Sequence, residues 1–302
     1  MGAVLSPLIF IVASSPQIKA IMDEMNNVVP LGSKNAYSAL AFADDVKFLF
    51  PLENQNDKTM VDLLMSKLET YSISTGLKFN ASKSQLLRLG PKQLECQLML
   101  MGNPIPEVKT MKDLGCVFSK NYNFVPMIAT RLAKARSVIQ IIKHNLLLRT
   151  PEAMKIIFQA YFQSVLLYSS EVWVNLQDPM LSKLYNVDSE FWSLLPKSME
   201  KPKCLNSVQL ALKTNLMIFF KHKHRLMKTT FASDFSKIGD KYETRANARN
   251  DLKTKKCKMQ ATNNEFVNVT TKLFNLMDPI KCSSKLLTVF EKEAIRMLCC
   301  NF

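Results

Sequence analysis

Residues 37–50 read YSALAFADDVKFLF, two short apolar and aromatic runs around a small polar centre, Ala43-Asp44-Asp45. This is the pattern of a β-hairpin whose tight turn carries two acids. Apolar residues on both strands would bury such a hairpin against a core. Two like charges held at its tip then repel in reduced dielectric. A cation relieves that repulsion. Hard divalent ions such as Mg²⁺ prefer carboxylate oxygens, and the phosphates of a nucleotide complete their shell. Asp also suits hairpin turns for backbone reasons alone, because it tolerates unusual backbone angles. The order and spacing of the neighbouring segments must therefore decide between the two explanations.

Around this hairpin the chain alternates short strands with helices. Residues 3–28 read as a helix broken early by Pro7, with acids at Asp23 and Glu24. Residues 56–74 have helical spacing, with Met60, Leu63, Leu64, Lys67, Leu68 and Tyr71 along one side, and Gly76 stops them. Leu77–Asn80 and Ser84–Leu89 read as short strands, and residues 105–118 as a strand pair ending at Asp113-Leu114-Gly115-Cys116-Val117-Phe118. After about residue 122 the texture becomes helical. Residues 124–148 predict an amphipathic helix carrying Arg131, Lys134, Arg136 and Lys143. Pro151 starts the next helix, 151–170, apolar on most sides and expected to be buried. Residues 180–230 are helical with polar interruptions, 238–265 polar, basic and loop-like, and 266–300 helical again. The expected fold class is α+β.

Composition narrows the partners. The chain has 302 residues, is 47% hydrophobic and contains 7 glycines, enough apolar matter for a real core and a composition that favours helices. Its net charge of +15 is uneven. Residues 1–100 hold 9 Lys/Arg against 9 Asp/Glu, 101–200 hold 11 against 8, and 201–302 hold 20 against 8. The positive field belongs to the last third, where it suits a phosphate backbone. There Phe219, Phe220, Phe231 and Phe235 lie among Lys and Arg. They either stack on single-stranded bases or, the preferred reading, form the core of amphipathic helices. The cysteines number 7, with no C-x-x-C pair, which points to reduced thiols in an intracellular protein, nuclear or cytoplasmic, and not to a zinc knuckle or disulfide framework. His222 and His224 belong to a basic run, not a ligand pair. Met1–Ser6 imitates a myristoylation signal, and Ala3–Ala13 a signal h-region without its basic flank. No run is long enough to span a membrane, and no membrane partner is expected.

Several segments together carry a resemblance. Phe42-Ala43-Asp44-Asp45 resembles the Y/F-A-D-D motif of retroelement reverse transcriptases. Gly2-Ala3-Val4-Leu5-Ser6-Pro7-Leu8-Ile9-Phe10, upstream by about the expected distance, resembles the Q-G-S-V-L-S-P-L-L-F segment beneath template and incoming nucleotide. Gly76-Leu77-Lys78-Phe79-Asn80 with Lys83 is similar to the family's G-L-x-x-N-x-x-K segment. Leu114-Gly115-Cys116-Val117 resembles the Y-L-G-V strand that grips the primer end, with Asp113 in the tyrosine's place, and Glu171-Val172-Trp173 resembles a G-x-E-x-W ending common in LINE elements. In the C-terminal part, Tyr242–Leu252, Leu273-Phe274-Asn275-Leu276 and Phe290-Glu291 resemble, in degenerate form, the tail of jockey-like elements.

The resemblance is to non-LTR retrotransposon reverse transcriptases. It implies a partial polymerase palm over 1–121, a small antiparallel sheet with helices, then a helical thumb-like region over 122–178 and a mostly helical basic region over 179–302. It implies that Asp44, with a weaker contribution from Asp45, holds catalytic Mg²⁺, and that Lys83 is a proton donor to the leaving pyrophosphate. It further implies that Gly2, Leu5, Ser6 and Pro7, with Leu114 and Gly115, contact substrate. The implied partners are an RNA template, a DNA primer or target, and a dNTP. Family enzymes carry another essential Asp on an upstream strand, which has no counterpart here; nor do the template-clamping fingers or an endonuclease. The expectation is therefore an N-terminally truncated RNA-directed DNA polymerase, inactive alone. The alternatives are a nucleic-acid-binding relic or recruited host protein without catalysis, and an unselected, pseudogene-like fragment.

Overall fold

The computed structural model describes residues 38–43, 45–50, 52, 54–76, 79–90, 96–121, 123–174, 178–227, 266–278 and 286–301, with positions 12, 15, 16, 19 and 23 singly. Most of the expected helix at 3–28, and the whole of the expected loop at 238–265, lie outside these residues. The fold class is α+β: the described strands form three two-stranded sheets, and most other described residues are helical. The chain divides into two compact units, one of residues 1–113 with 118–122 and one of 114–117 with 123–302.

In the first unit, β1 (Ser38–Phe42) and β2 (Asp45–Leu49) pair antiparallel, with Phe42 opposite Asp45 and Leu40 opposite Lys47. Only two residues, Ala43 and Asp44, join them, so the expected acid-bearing hairpin is present. It is covered on one side only. Phe48 and Phe50 pack against the unit's core, whereas Leu40, Phe42 and Leu49 are exposed. This corrects the expectation of a hairpin buried through apolar residues on both strands: alternation along a strand sends neighbouring side chains to opposite faces, and one face meets the core.

Helix α1 (Gln55–Thr75) begins in a capping box. Asn54 Oδ1 accepts from the Asp57 amide at 3.1 Å, and Asp57 Oδ2 accepts from the Asn54 amide at 3.0 Å. It ends at Gly76, whose φ of 74° is left-handed and suits glycine. Its buried face is Val61, Leu64, Met65, Leu68 and Ser72. Leu63, expected on that face, is exposed. Met65 is buried in its stead, because packing turns the buried stripe toward the side that carries Val61. Cys96, Leu98 and Leu100 complete this small core. Leu98 and Leu100 come with a short hairpin the sequence did not announce, β3 (Met99–Leu100) and β4 (Asn103–Pro104), around a Met101-Gly102 turn.

The expected strand Ser84–Leu89 is a single parallel bridge from Leu86 to Glu107. Phe79 and Asn80 are likewise outside any strand, while Leu77 and Lys78 are not among the described residues. The segment lacks a partner strand long enough to extend the ladder. The expected pair at 105–118 appears further on, as β5 (Thr110–Asp113) and β6 (Cys116–Ser119).

The second unit is helical around one continuous core. Its elements are α2 (Val125–Asn145), α3 (Pro151–Ile157), a π-helical turn Phe158–Phe162, α4 (Gln163–Leu166), α5 (Ser170–Trp173), α6 (Asp178–Trp192), α7 (Ser207–Lys223), α8 (Phe266–Asn275) and α9 (Leu287–Asn301). Thr150 caps α3 by accepting from the Ala153 amide, with Pro151 in the first turn, as expected of that proline. The segment 151–170 is not one buried helix. The π turn breaks the register, and Met154, Phe158, Phe162 and Leu166 are buried while Ile156 and Tyr161 are exposed. Rings of Phe158, Phe162, Phe191 and Trp192 meet at centroid distances of 4.8–5.4 Å. Helix α7 packs against α9, α8 and α6, with Phe219 and Phe220 buried in that core.

The start of α7 is tied to α6 by Asp188, which is buried and accepts from the Ser207 amide at 2.7 Å and from Ser207 Oγ at 2.5 Å. Burial pushes its carboxyl up to about 6, against the opposing pull of the Ser207 hydrogen bonds and of Lys201. The folded chain thus holds this proton more tightly than the unfolded chain does. The stabilisation is full below about pH 4 and is lost as the pH rises through about 6. Asp188→Asn, which keeps an acceptor for the Ser207 amide, is expected to flatten the fall in stability between pH 4 and pH 6. Urea midpoints at four pH values across that window check this, and an unchanged slope in the variant contradicts it.

Candidate active site and nucleic-acid interface

The β1–β2 hairpin reverses sharply over a two-residue connection, with Ala43 at φ 52°. A turn of this kind needs left-handed backbone, tolerated here by a small side chain. Asp45 is the first residue of β2 and is exposed. Among the described residues its side chain forms no hydrogen bond or ion pair, and its carboxylate faces solvent. Asp44 lies outside the described residues. Among the described residues no group of three His, Cys, Asp or Glu side chains gathers to hold a metal.

Two positions along β2, Lys47 pairs with Asp113 at 2.8 Å, joining this hairpin to the end of β5. Asp113 is the residue that departs from the family's tyrosine, and here it is an ion-pair partner. Nothing in the sequence singled out Lys47; its cross-strand place opposite Leu40 becomes informative only once β5 is known to approach.

Lys83 sits in a turn built by Asn80. The Asn80 carbonyl accepts from the amides of Lys83 and Ser84 at 3.1 and 3.0 Å, and its side chain accepts from Ser82 Oγ at 2.7 Å. The Lys83 side chain is exposed. Phe79, Asn80 and Ser82, with Met101, Asn103 and Pro104, line an open depression of about 610 Å³ beside it. The neighbouring cations are engaged: Arg88 and Lys120 both pair with Glu107, whose carboxyl Arg88 in particular holds below the usual range.

In the second unit, Leu114 and Gly115 form a two-residue turn with φ 44° and 80°. Leu114 is exposed, while both turn carbonyls are held from beneath. Tyr168 Oη donates to the Leu114 carbonyl at 2.7 Å, and Arg131 Nη2 donates to the Gly115 carbonyl at 2.6 Å. Arg131, which the sequence placed on an amphipathic helix without assigning it a face, is 4% exposed. Its position gives the reason. It falls in the row Met127, Ile128, Arg131, Leu132, Ala135 and Val138, which faces the core. That spacing was a legible signal. Tyr168 had none, since its role depends on a contact 54 residues away.

Gly2, Leu5, Ser6 and Pro7 lie outside the described residues. Phe219 and Phe220 are core residues, as the preferred reading of the sequence had them, and offer no face to a base; Phe231 and Phe235 are outside the described residues. Exposed cations remain on the second unit: Lys134 and Lys143 on α2, Lys197, Lys201 and Lys203 between α6 and α7, and Lys221 and Arg225 at the end of α7. Arg136 is not free, being held in a two-bond pair with Glu190 at 2.9 and 2.8 Å. In the tail motifs, Leu273, Phe274 and Phe290 are buried, and Leu276 is exposed. Among the described residues no helix is long and apolar enough to cross a membrane.

No protein-family model, curated protein or solved structure compared with this chain matches it.

Proposed function

We propose that this chain is part of an RNA-directed DNA polymerase of the non-LTR retrotransposon type. The observation that carries the reading is the β1–β2 hairpin, which turns on two residues and leaves Asp45 open at its tip. Further support comes from the order of the segments downstream of it: the Gly76 stop, the Lys83 turn, then the Leu114–Gly115 turn. In this reading Asp44 and Asp45 hold Mg²⁺, which when bound supplies charge neutralisation for the nucleotide's phosphates and acidifies the primer hydroxyl. The protein's own contribution is to supply the acids at a tight hairpin, to place Lys83 as a proton donor, and to meet the primer end at Leu114 and Gly115. The partners are an RNA template, a DNA primer and a dNTP.

Within these 302 residues only one of the family's two acid-bearing strands has a counterpart. The reading therefore holds that they do not polymerise alone. The test is Mg²⁺-dependent primer extension on a primed RNA template by the purified 302 residues. No Asp44-dependent extension is expected; efficient extension abolished by Asp44→Ala would falsify the incomplete-site reading.

A second reading, nucleic-acid binding without catalysis, is favoured by the exposed lysines of α2 and of the α6–α7 connection. It needs no acid at the hairpin tip. Binding of primed template that weakens steeply with salt and is indifferent to the acids, with no extension in any form of the chain, would select it.

A further inference from the structure

We propose that Arg131 and Tyr168 are positioning residues that hold the Leu114–Gly115 turn in the shape in which it meets nucleic acid. The inference rests on the reading above that this turn contacts the primer. Leu114 has a side chain yet adopts φ 44°, a conformation that L residues rarely take. Such a turn persists only when its surroundings determine it. Here they do so through both carbonyls, with Tyr168 on Leu114 and Arg131 on Gly115.

The two donors are also tied to each other. The Arg131 guanidinium lies 4.4 Å from the centre of the Tyr168 ring, a cation–π contact. Gly115 is confined by the same pair: a Cβ there would lie 3.2 Å from the Tyr168 ring and 3.6 Å from Arg131 Nη2. Tyr168 is in turn pinned by Trp173, buried, whose Nε1 donates to the Tyr168 carbonyl at 3.0 Å. The apolar core of the second unit thus reaches the turn through Trp173 and Tyr168.

The charge of Arg131 carries a consequence for the ligand. It is buried, its Nε has no partner, and it forms no ion pair with a carboxylate among the described residues. A cation fixed under a turn, with no carboxylate paired to it among the described residues, leaves a positive potential at that turn, which favours an anionic backbone over a neutral ligand. The turn's outward group is Leu114, 43% exposed, an apolar surface for a sugar face beside that potential.

Tyr168→Phe tests this in the full chain, because it removes one donor and keeps the ring, the packing and the cation–π contact. The measurements are amide exchange over residues 112–117, the thermal midpoint, and the affinity for a primed RNA–DNA duplex by fluorescence anisotropy. The expected result is faster exchange in the turn, a nearly unchanged midpoint, and affinity weakened about fivefold, the effect of one lost neutral hydrogen bond. Unchanged exchange overturns the inference, as does faster exchange with unchanged affinity in a chain that binds the duplex. A wild-type chain that binds no duplex overturns the functional reading itself and the inference with it.

Discussion

Phe158→Ala is expected to destabilise the second unit by about 3–5 kcal/mol. The side chain is 0% exposed and sits where three further rings converge, 5.4 Å from Phe162, 5.0 Å from Phe191 and 4.8 Å from Trp192. Truncation removes the transfer free energy of the ring and leaves a void that its rigid aromatic neighbours refill poorly. It also loses the favourable ring contacts, each contributing about 0.5–1.5 kcal/mol beyond area burial. Phe158 opens the π turn, so the void falls where the helix register is already interrupted. The readout is unusually clean, because both tryptophans of the chain, Trp173 and Trp192, belong to this unit. Urea unfolding followed by their fluorescence reports on it. Ile156→Ala, nearby on the same helix at 66% exposure, is the control, expected within about 0.5 kcal/mol of the parent. A Phe158→Ala variant that unfolds at the parent's midpoint would mean that this aromatic cluster is not the centre of the core.

The other large effect concerns catalysis. When the 302 residues are joined to an upstream acid-bearing strand of the reverse-transcriptase type, Asp44→Ala is expected to reduce primer extension by on the order of 10³-fold or more. The expectation follows from charge. In the proposed reading a divalent ion at the hairpin draws its protein ligands from both acids. Removing the principal ligand loosens the ion against phosphates that must be placed within a fraction of an ångström. Asp45→Asn is expected to act in the same direction and less strongly, because in the resemblance the second acid is the weaker ligand. Extension rates at saturating Mg²⁺ measure both. Equal activity of the Asp44→Ala and parent proteins would remove the hairpin from the active site, whatever its shape.

The parts of this fold that were legible in the sequence are those set by nearest neighbours. YSALAFADDVKFLF predicted a hairpin with acids at its turn, and that hairpin is present. Asp45, though, belongs to β2 and not to the turn, and only one face is covered. The stop at Gly76, the start at Pro151 and the long α2 were legible for the same reason. Left-handed backbone at a helix end, a fixed proline φ, and helical periodicity each act within a few residues. The proposed site rests on motifs and their spacing, and of these the fold places Lys83 and Leu114–Gly115 in turns.

What depended on distant contacts was not legible. The buried face of α1 is offset because periodicity defines a stripe but not the surface that will meet it. The π turn at Phe158–Phe162 interrupts the helix that Pro151 starts, which no local rule anticipates. The sequence by itself determined the reversal between β1 and β2, the stop at Gly76 and the start at Pro151, and that two acids stand together between short strands. Tertiary structure alone decided that Tyr168 holds Leu114 and that Lys47 meets Asp113. Each of these depends on which surfaces pack together, and burial converts a charge or a ring from a solvated group into a partner that must be satisfied.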